Sequence, residues 1–95
     1  MLNHELHYVP SSRVLSQEVH GELVLLDLDG EQYFGLNEVG RVIWDELTSG
    51  QRLGAILDAL VKRFDVHPDR AEQDLEDLLG QLLAHDLIRQ PIENE

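Results

Sequence analysis

Cysteine is absent from the sequence, which excludes disulfides and thiolate metal sites alike. Aromatics are scarce, five in 95 residues, so a core must be built from Leu, Val and Ile. Bases are few as well: seven Lys and Arg stand against nineteen acids, a net charge of −12. Such a surface repels nucleic acid and anionic membranes and draws in cationic partners, although solubility alone also accounts for the acid. No apolar run approaches the roughly twenty residues a membrane span needs, and no basic stretch precedes an apolar signal-like segment. The expected location is therefore the cytoplasm. What remains is 42% apolar residues in one short chain. That supports a single domain burying roughly 60–70% of its unfolded surface.

Residues 1–12 (MLNHELHYVPSS) lack sustained periodicity and read as an irregular N-terminal arm. Residues 13–90 hold the domain, and 91–95 read as an acidic C-terminal tail after Pro91. Within the domain, Arg13 to Val19, Glu22 to Leu28 and Glu31 to Leu36 are strand-like runs. His20-Gly21 separates the first two, and Asp29-Gly30 the second two. An Asp-Gly pair between apolar runs predicts a type I′ hairpin, because both residues tolerate positive φ. Asn37 predicts a helix cap, followed by Val39, Val42, Ile43 and Leu47 on one stripe with Trp44 beside it. A second helix carries Leu53, Ile56, Leu57, Leu60, Val61 and Phe64 at helical spacing, and Pro68 suits the first turn of a third. The order is α+β: a three-stranded antiparallel sheet followed by three helices, like a winged helix-turn-helix.

The expected hairpin pairs Leu26 with Tyr33 and Val24 with Gly35 on one face, Leu25 with Phe34 and Leu23 with Leu36 on the other. Both faces are apolar, whereas a half-solvated sheet alternates apolar with polar. One face packs on the helices; the other needs helical cover, a second copy or a ligand. In the third helix Ala71, Leu75, Leu78 and Leu82 form the expected core stripe. Leu79 and Leu83 lie toward one flank, bordered by Asp69, Glu72 and Glu76, an edge suited to an apolar, basic peptide.

The helix-turn-helix order invites a DNA reading, which the charge opposes. From Pro68 to Ile88 there is one base, Arg70, among six acids, where phosphate contact demands Lys and Arg. His67-Pro68-Asp69 matches the loop tripeptide of J-domain co-chaperones, but a sheet precedes it where those have helix; His67 reads better as a cap before an N-terminal Pro. His4 and His7 have no carboxylate or Cys cluster to complete a metal site. No serine has a base and orienter near it in sequence, and no glycine-rich phosphate loop occurs. The residues support no catalytic, metal or cofactor assignment.

"LVLLDLDGEQYFGLN", then "VGRVIWDEL", a Gly, a helix ending in "RFDV" and "DLEDLLGQLLAHDLI" together resemble the PqqD family over residues 13–90. Its members are small peptide-binding domains called RiPP recognition elements, and the lone-domain format is most similar to the stand-alone leader-binding proteins of lasso-peptide pathways. The resemblance implies that the N-terminal leader of a ribosomal precursor adds as a strand to the third strand and lies between it and the third helix. Carried onto this chain, the edge is Glu31, Gln32, Tyr33, Phe34, Gly35 and Leu36. The helix contributes Asp69, Glu72, Leu75, Glu76, Leu79 and Leu83, with Leu26 beside Tyr33 as a further anchor. Gly35 either lets a partner strand approach closely or marks a bulge. The implied partners are the leader and a separate leader peptidase or other modifying enzyme.

Two other readings stay open on sequence: an interaction module outside peptide maturation, and an enzyme acting on the precursor itself. An exposed edge strand could also pair two copies of the chain.

Overall fold

In the computed structural model, which describes residues 2–91, five strands and three helices follow one another as β1 (Val9–Pro10), β2 (Val14–Val19), β3 (Glu22–Asp27), β4 (Gln32–Leu36), α1 (Glu38–Thr48), α2 (Leu53–Phe64), α3 (Pro68–Ala84) and β5 (Ile88–Arg89). The expected sheet is β2-β3-β4, fully antiparallel, with β4 at one edge. Its register is the expected one, with Leu23 opposite Leu36, Val24 opposite Gly35, Leu25 opposite Phe34 and Leu26 opposite Tyr33. Pairing runs unbroken through Gly35, so the bulge alternative is set aside.

The turns differ from expectation in an instructive way. Left-handed geometry falls on His20 (φ 54°) and Gly21 (φ 84°), the two residues between paired Val19 and Glu22. These are the type I′ conditions expected at Asp29-Gly30. That second connection is instead a turn over residues 28–31, and its one positive φ lies at Glu31 (55°). Asp27 explains the change. Its Oδ1 accepts hydrogen bonds from the amides of Asp29 (3.2 Å) and Gly30 (3.3 Å), so the side chain templates the turn. Glycine is needed at 30 for room: a Cβ there would lie 2.8 Å from Asp27 Oδ2.

Asp27 is buried, 8% exposed, and its Oδ1 also accepts from Arg13 Nε at 3.0 Å. Burial opposes its ionisation, but the Gly30 and Asp29 amides and the Arg13 guanidinium outweigh it and hold the carboxyl below its ordinary value of 3.8. A carboxyl depressed on folding stabilises above its unfolded value, and that contribution fades as pH falls through the folded value. Urea midpoints of the wild type should therefore exceed those of Asp27→Asn near neutrality and converge with them below about pH 4. A gap that persists at low pH would show that shape, not charge, accounts for Asp27.

Helix starts follow their caps. Asn37 Oδ1 accepts from the Gly40 amide at 2.8 Å, and His67 Nδ1 accepts from the Asp69 amide at 3.1 Å ahead of Pro68, both as expected. At α2 no side chain caps. There the N-terminal arm substitutes: Leu6 O accepts from Leu53 N (2.8 Å) and His4 O from Gly54 N (3.0 Å). The arm was expected to be irregular, yet it docks on α2, and β1 pairs with β5, Val9 opposite Arg89 and Pro10 opposite Ile88. The tail at 92–95 lies outside the described residues.

The core is a Leu, Val and Ile cluster around Trp44, with Leu25, Leu47, Ile56, Leu60 and Leu75 fully or almost fully buried. Only the inner face of the sheet meets it. On the outer face Leu15 and Tyr33 are 52% and 74% exposed, flanking half-buried Leu26. Among the described residues, no helix is long and apolar enough to cross a membrane.

Candidate functional site: an open strand edge beside a helical wall

Alternation along β4 sends Phe34 and Leu36 inward and Tyr33 and Gly35 outward. The second edge of β4 has no neighbouring strand, and among the described residues no main-chain hydrogen bond outside its ladder involves Gln32–Leu36. Beside it lies a groove of about 440 Å³. Phe34, Gly35 and Leu36 form one side, and the first two turns of α1 (Val39, Gly40, Ile43) the floor. Arg70, Asp74, Asp77, Leu78, Gln81 and Leu82 of α3 form the opposite wall. Ladder amides and carbonyls, apolar side chains and the Arg70, Asp74 and Asp77 charges are thus offered together, a set suited to holding extended peptide.

Two contacts fix the width of the groove at its far end. The Phe34 ring rests against the His85 imidazole, centroids 4.7 Å apart and tilted by 50°. Arg13, already bound to Asp27, donates through Nη2 to His85 O at 3.3 Å, tying the end of α3 to the β3–β4 turn. Along the wall the charges are partly matched: Arg70 Nε donates to Asp74 Oδ1 (3.3 Å), and Gln73 Nε2 to Asp77 Oδ1 (2.9 Å).

Of the residues expected at the site, Phe34, Gly35 and Leu36 line the groove, and Gln32 begins the edge strand. Glu31 belongs to the turn instead. Leu26 and Tyr33 sit on the outer face, level with the edge but turned away from the groove. On α3 the groove is lined by other residues than those expected. Leu75 and Leu79 are core, Leu79 only 4% exposed, and the flank holding Asp69, Glu72, Glu76 and Leu83 turns away from β4. Glu72 faces the arm instead, 3.7 Å from His4 Nε2. The groove is served by the other flank, where Arg70, Asp74, Asp77, Leu78 and Gln81 recur at i, i+4, i+7, i+8 and i+11. That spacing was visible in the sequence; what pointed it at β4 was not.

These features define a class: an α+β domain of winged helix-turn-helix type that leaves one strand edge open beside its third helix. The family model for coenzyme PQQ synthesis protein D (PqqD) matches residues 22–88. The chain belongs to the PqqD family, as a PqqD-like RiPP recognition element. Among solved structures it is similar to TbiB1 in complex with the TbiA(beta) leader peptide, at 36% identity and a TM-score of 0.79, over 88% of this chain and 98% of that one. It is also similar to a lasso peptide synthetase B1 complexed with the leader peptide, at a TM-score of 0.81 over 87% of this chain and 98% of that one; at 20% identity that likeness speaks for the fold alone. No curated protein matches the chain.

Proposed function

We propose that this protein is a leader-binding adaptor, which captures the leader of a ribosomal precursor as an added strand on β4 and presents it to a processing enzyme. One observation carries the reading: the unpaired β4 edge runs beside a groove whose far wall is α3. The solved relative at 36% identity is a complex with a leader peptide, which supports it. Main-chain hydrogen bonds contribute roughly 0.5–1.5 kcal/mol each, and ordering a flexible leader offsets much of that sum. Selectivity then rests on apolar side chains of the leader, each worth about 1.5–3 kcal/mol when fully buried against Phe34, Ile43 and Leu78. At a net charge of −12 the surface speeds encounter with basic leaders.

In this reading the chain performs no covalent step. Cleavage belongs to a separate leader peptidase, and the pathway is lasso-peptide biosynthesis. A PqqD-type chaperone serving another modifying enzyme shares the same site, and the enzyme that consumes the leader complex distinguishes the two. Without leader, the free β4 edge is open to a second copy. Titrating the purified protein with the labelled leader of its co-encoded precursor tests the proposal. Saturable 1:1 binding that also dissolves any dimer is the expected result, and absence of binding contradicts it.

A further inference from the structure

The open edge of β4 has two faces, and the groove serves only one of them. Leu28 N donates to Arg13 O at 3.1 Å, which sets the phase of hydrogen bonding across the sheet. By alternation Leu23, Leu25 and Asp27 bond toward β4, and their partners Leu36, Phe34 and Gln32 bond back. Tyr33 and Gly35 therefore hold the amides and carbonyls that face the open edge. Their side-chain positions lie on the outer face of the sheet, away from the core.

Nothing in the fold itself requires glycine at 35. A Cβ there would meet nothing within 4 Å, and the φ of Gly35 is not positive. Neither crowding nor strain excludes a side chain, and glycine weakens a strand interior. What its bareness leaves is a notch in the outer face. Half-buried Val24 lies opposite it on β3, and exposed Tyr33 stands two residues along β4 on the same face. The two rows across this face are Gln17, Val24 and Gly35, then Leu15, Leu26 and Tyr33. Neither carries a charge in a chain with nineteen acids, so the notch suits an apolar occupant and not a basic one.

Strand addition brings the occupant. An added strand lies about 4.8 Å from β4, and its residue beside Gly35 shares the outer face whichever way the strand runs. That residue cannot point into the groove. Its side chain either extends into water or folds across the bare backbone of Gly35. We infer that it folds across: the leader carries a large apolar side chain at this position, seated over Gly35 against Val24 and Tyr33. The inference rests on the adaptor reading and makes Gly35 a specificity-determining residue. The leader is then read on both of its faces, by residues of opposite parity.

A double-mutant cycle tests this, by anisotropy titrations with the synthetic co-encoded leader and its single-alanine forms. Gly35→Val fills the notch with a residue that strands favour, so its urea midpoint should equal or exceed that of the wild type. It should nevertheless bind the leader about tenfold more weakly, the consequence of losing one buried apolar anchor. At one leader position, alanine should weaken binding to the wild type about tenfold and binding to Gly35→Val not at all. That position should have the opposite parity to the groove-facing ones, whose alanine forms should lose equally against both proteins. Where valine lowers the midpoint instead, Gly35→Ala carries the comparison: a smaller loss coupled to the same leader position supports the inference, and no coupling overturns it. Unchanged affinity in Gly35→Val, or a loss shared alike by every leader form, overturns the inference while the adaptor reading stands. A leader that binds neither protein overturns both.

Discussion

Leu78→Asp should lower leader affinity at least about tenfold while leaving the circular dichroism of the folded chain in place. Leu78 is half-buried on the groove wall, so a carboxylate there keeps contact with water in the free protein. Once a leader covers it, the same carboxylate loses that water without gaining a partner, and one apolar anchor is gone as well. The neighbouring substitution separates site from core. Leu79→Asp buries its charge at a position only 4% exposed and should unfold the domain rather than weaken binding selectively. Fluorescence anisotropy with a labelled leader, run beside urea denaturation, reads both. Equal affinity in Leu78→Asp would remove α3 from the site.

The second large effect is on stability. Trp44→Ala should cost about 3–5 kcal/mol, since an aromatic removed from a packed core takes its transfer energy with it and leaves a cavity. A domain of this size has only about 5–15 kcal/mol in hand, so the variant should be partly unfolded at ambient temperature. The consequence reaches the site through α1. Trp44 is 4% exposed, and its neighbours Ile43 and Gly40 form the groove floor against which β4 is held. Saturating leader should recover much of the loss by binding only the folded form. Urea midpoints with and without leader measure this, and a loss below about 1 kcal/mol would contradict the assigned role of Trp44.

How much of this was legible beforehand varies from element to element. The register of β3 against β4 followed from two apolar runs whose pairing was fixed by a short connection. The caps at Asn37 and His67 are local chemistry, readable from the residues that follow them. Less local features escaped. The β3–β4 turn is shaped by the Asp27 carboxylate and by Arg13 from another strand, a tertiary contact that turn preferences do not contain. The leucine stripe of α3 is wider than the face it buries, leaving Leu78 on one flank and Leu83 on the other. Which flank meets the sheet edge follows from how α3 packs on α1 and α2, a tertiary arrangement that the stripe of α3 alone does not carry. The free edge of β4 was foreseeable as an apolar surplus; the composition of its facing wall was not.

Strand addition itself is tested most directly by a backbone N-methyl scan of the leader. In a ladder only every second amide of the added strand points at its neighbour. Methylation should therefore weaken binding at alternate positions along the stretch that faces Gln32–Leu36, by about two- to tenfold each, and leave the positions between them near the unmodified affinity. A uniform profile, or losses recurring every third or fourth residue as for a helical ligand, would contradict the account.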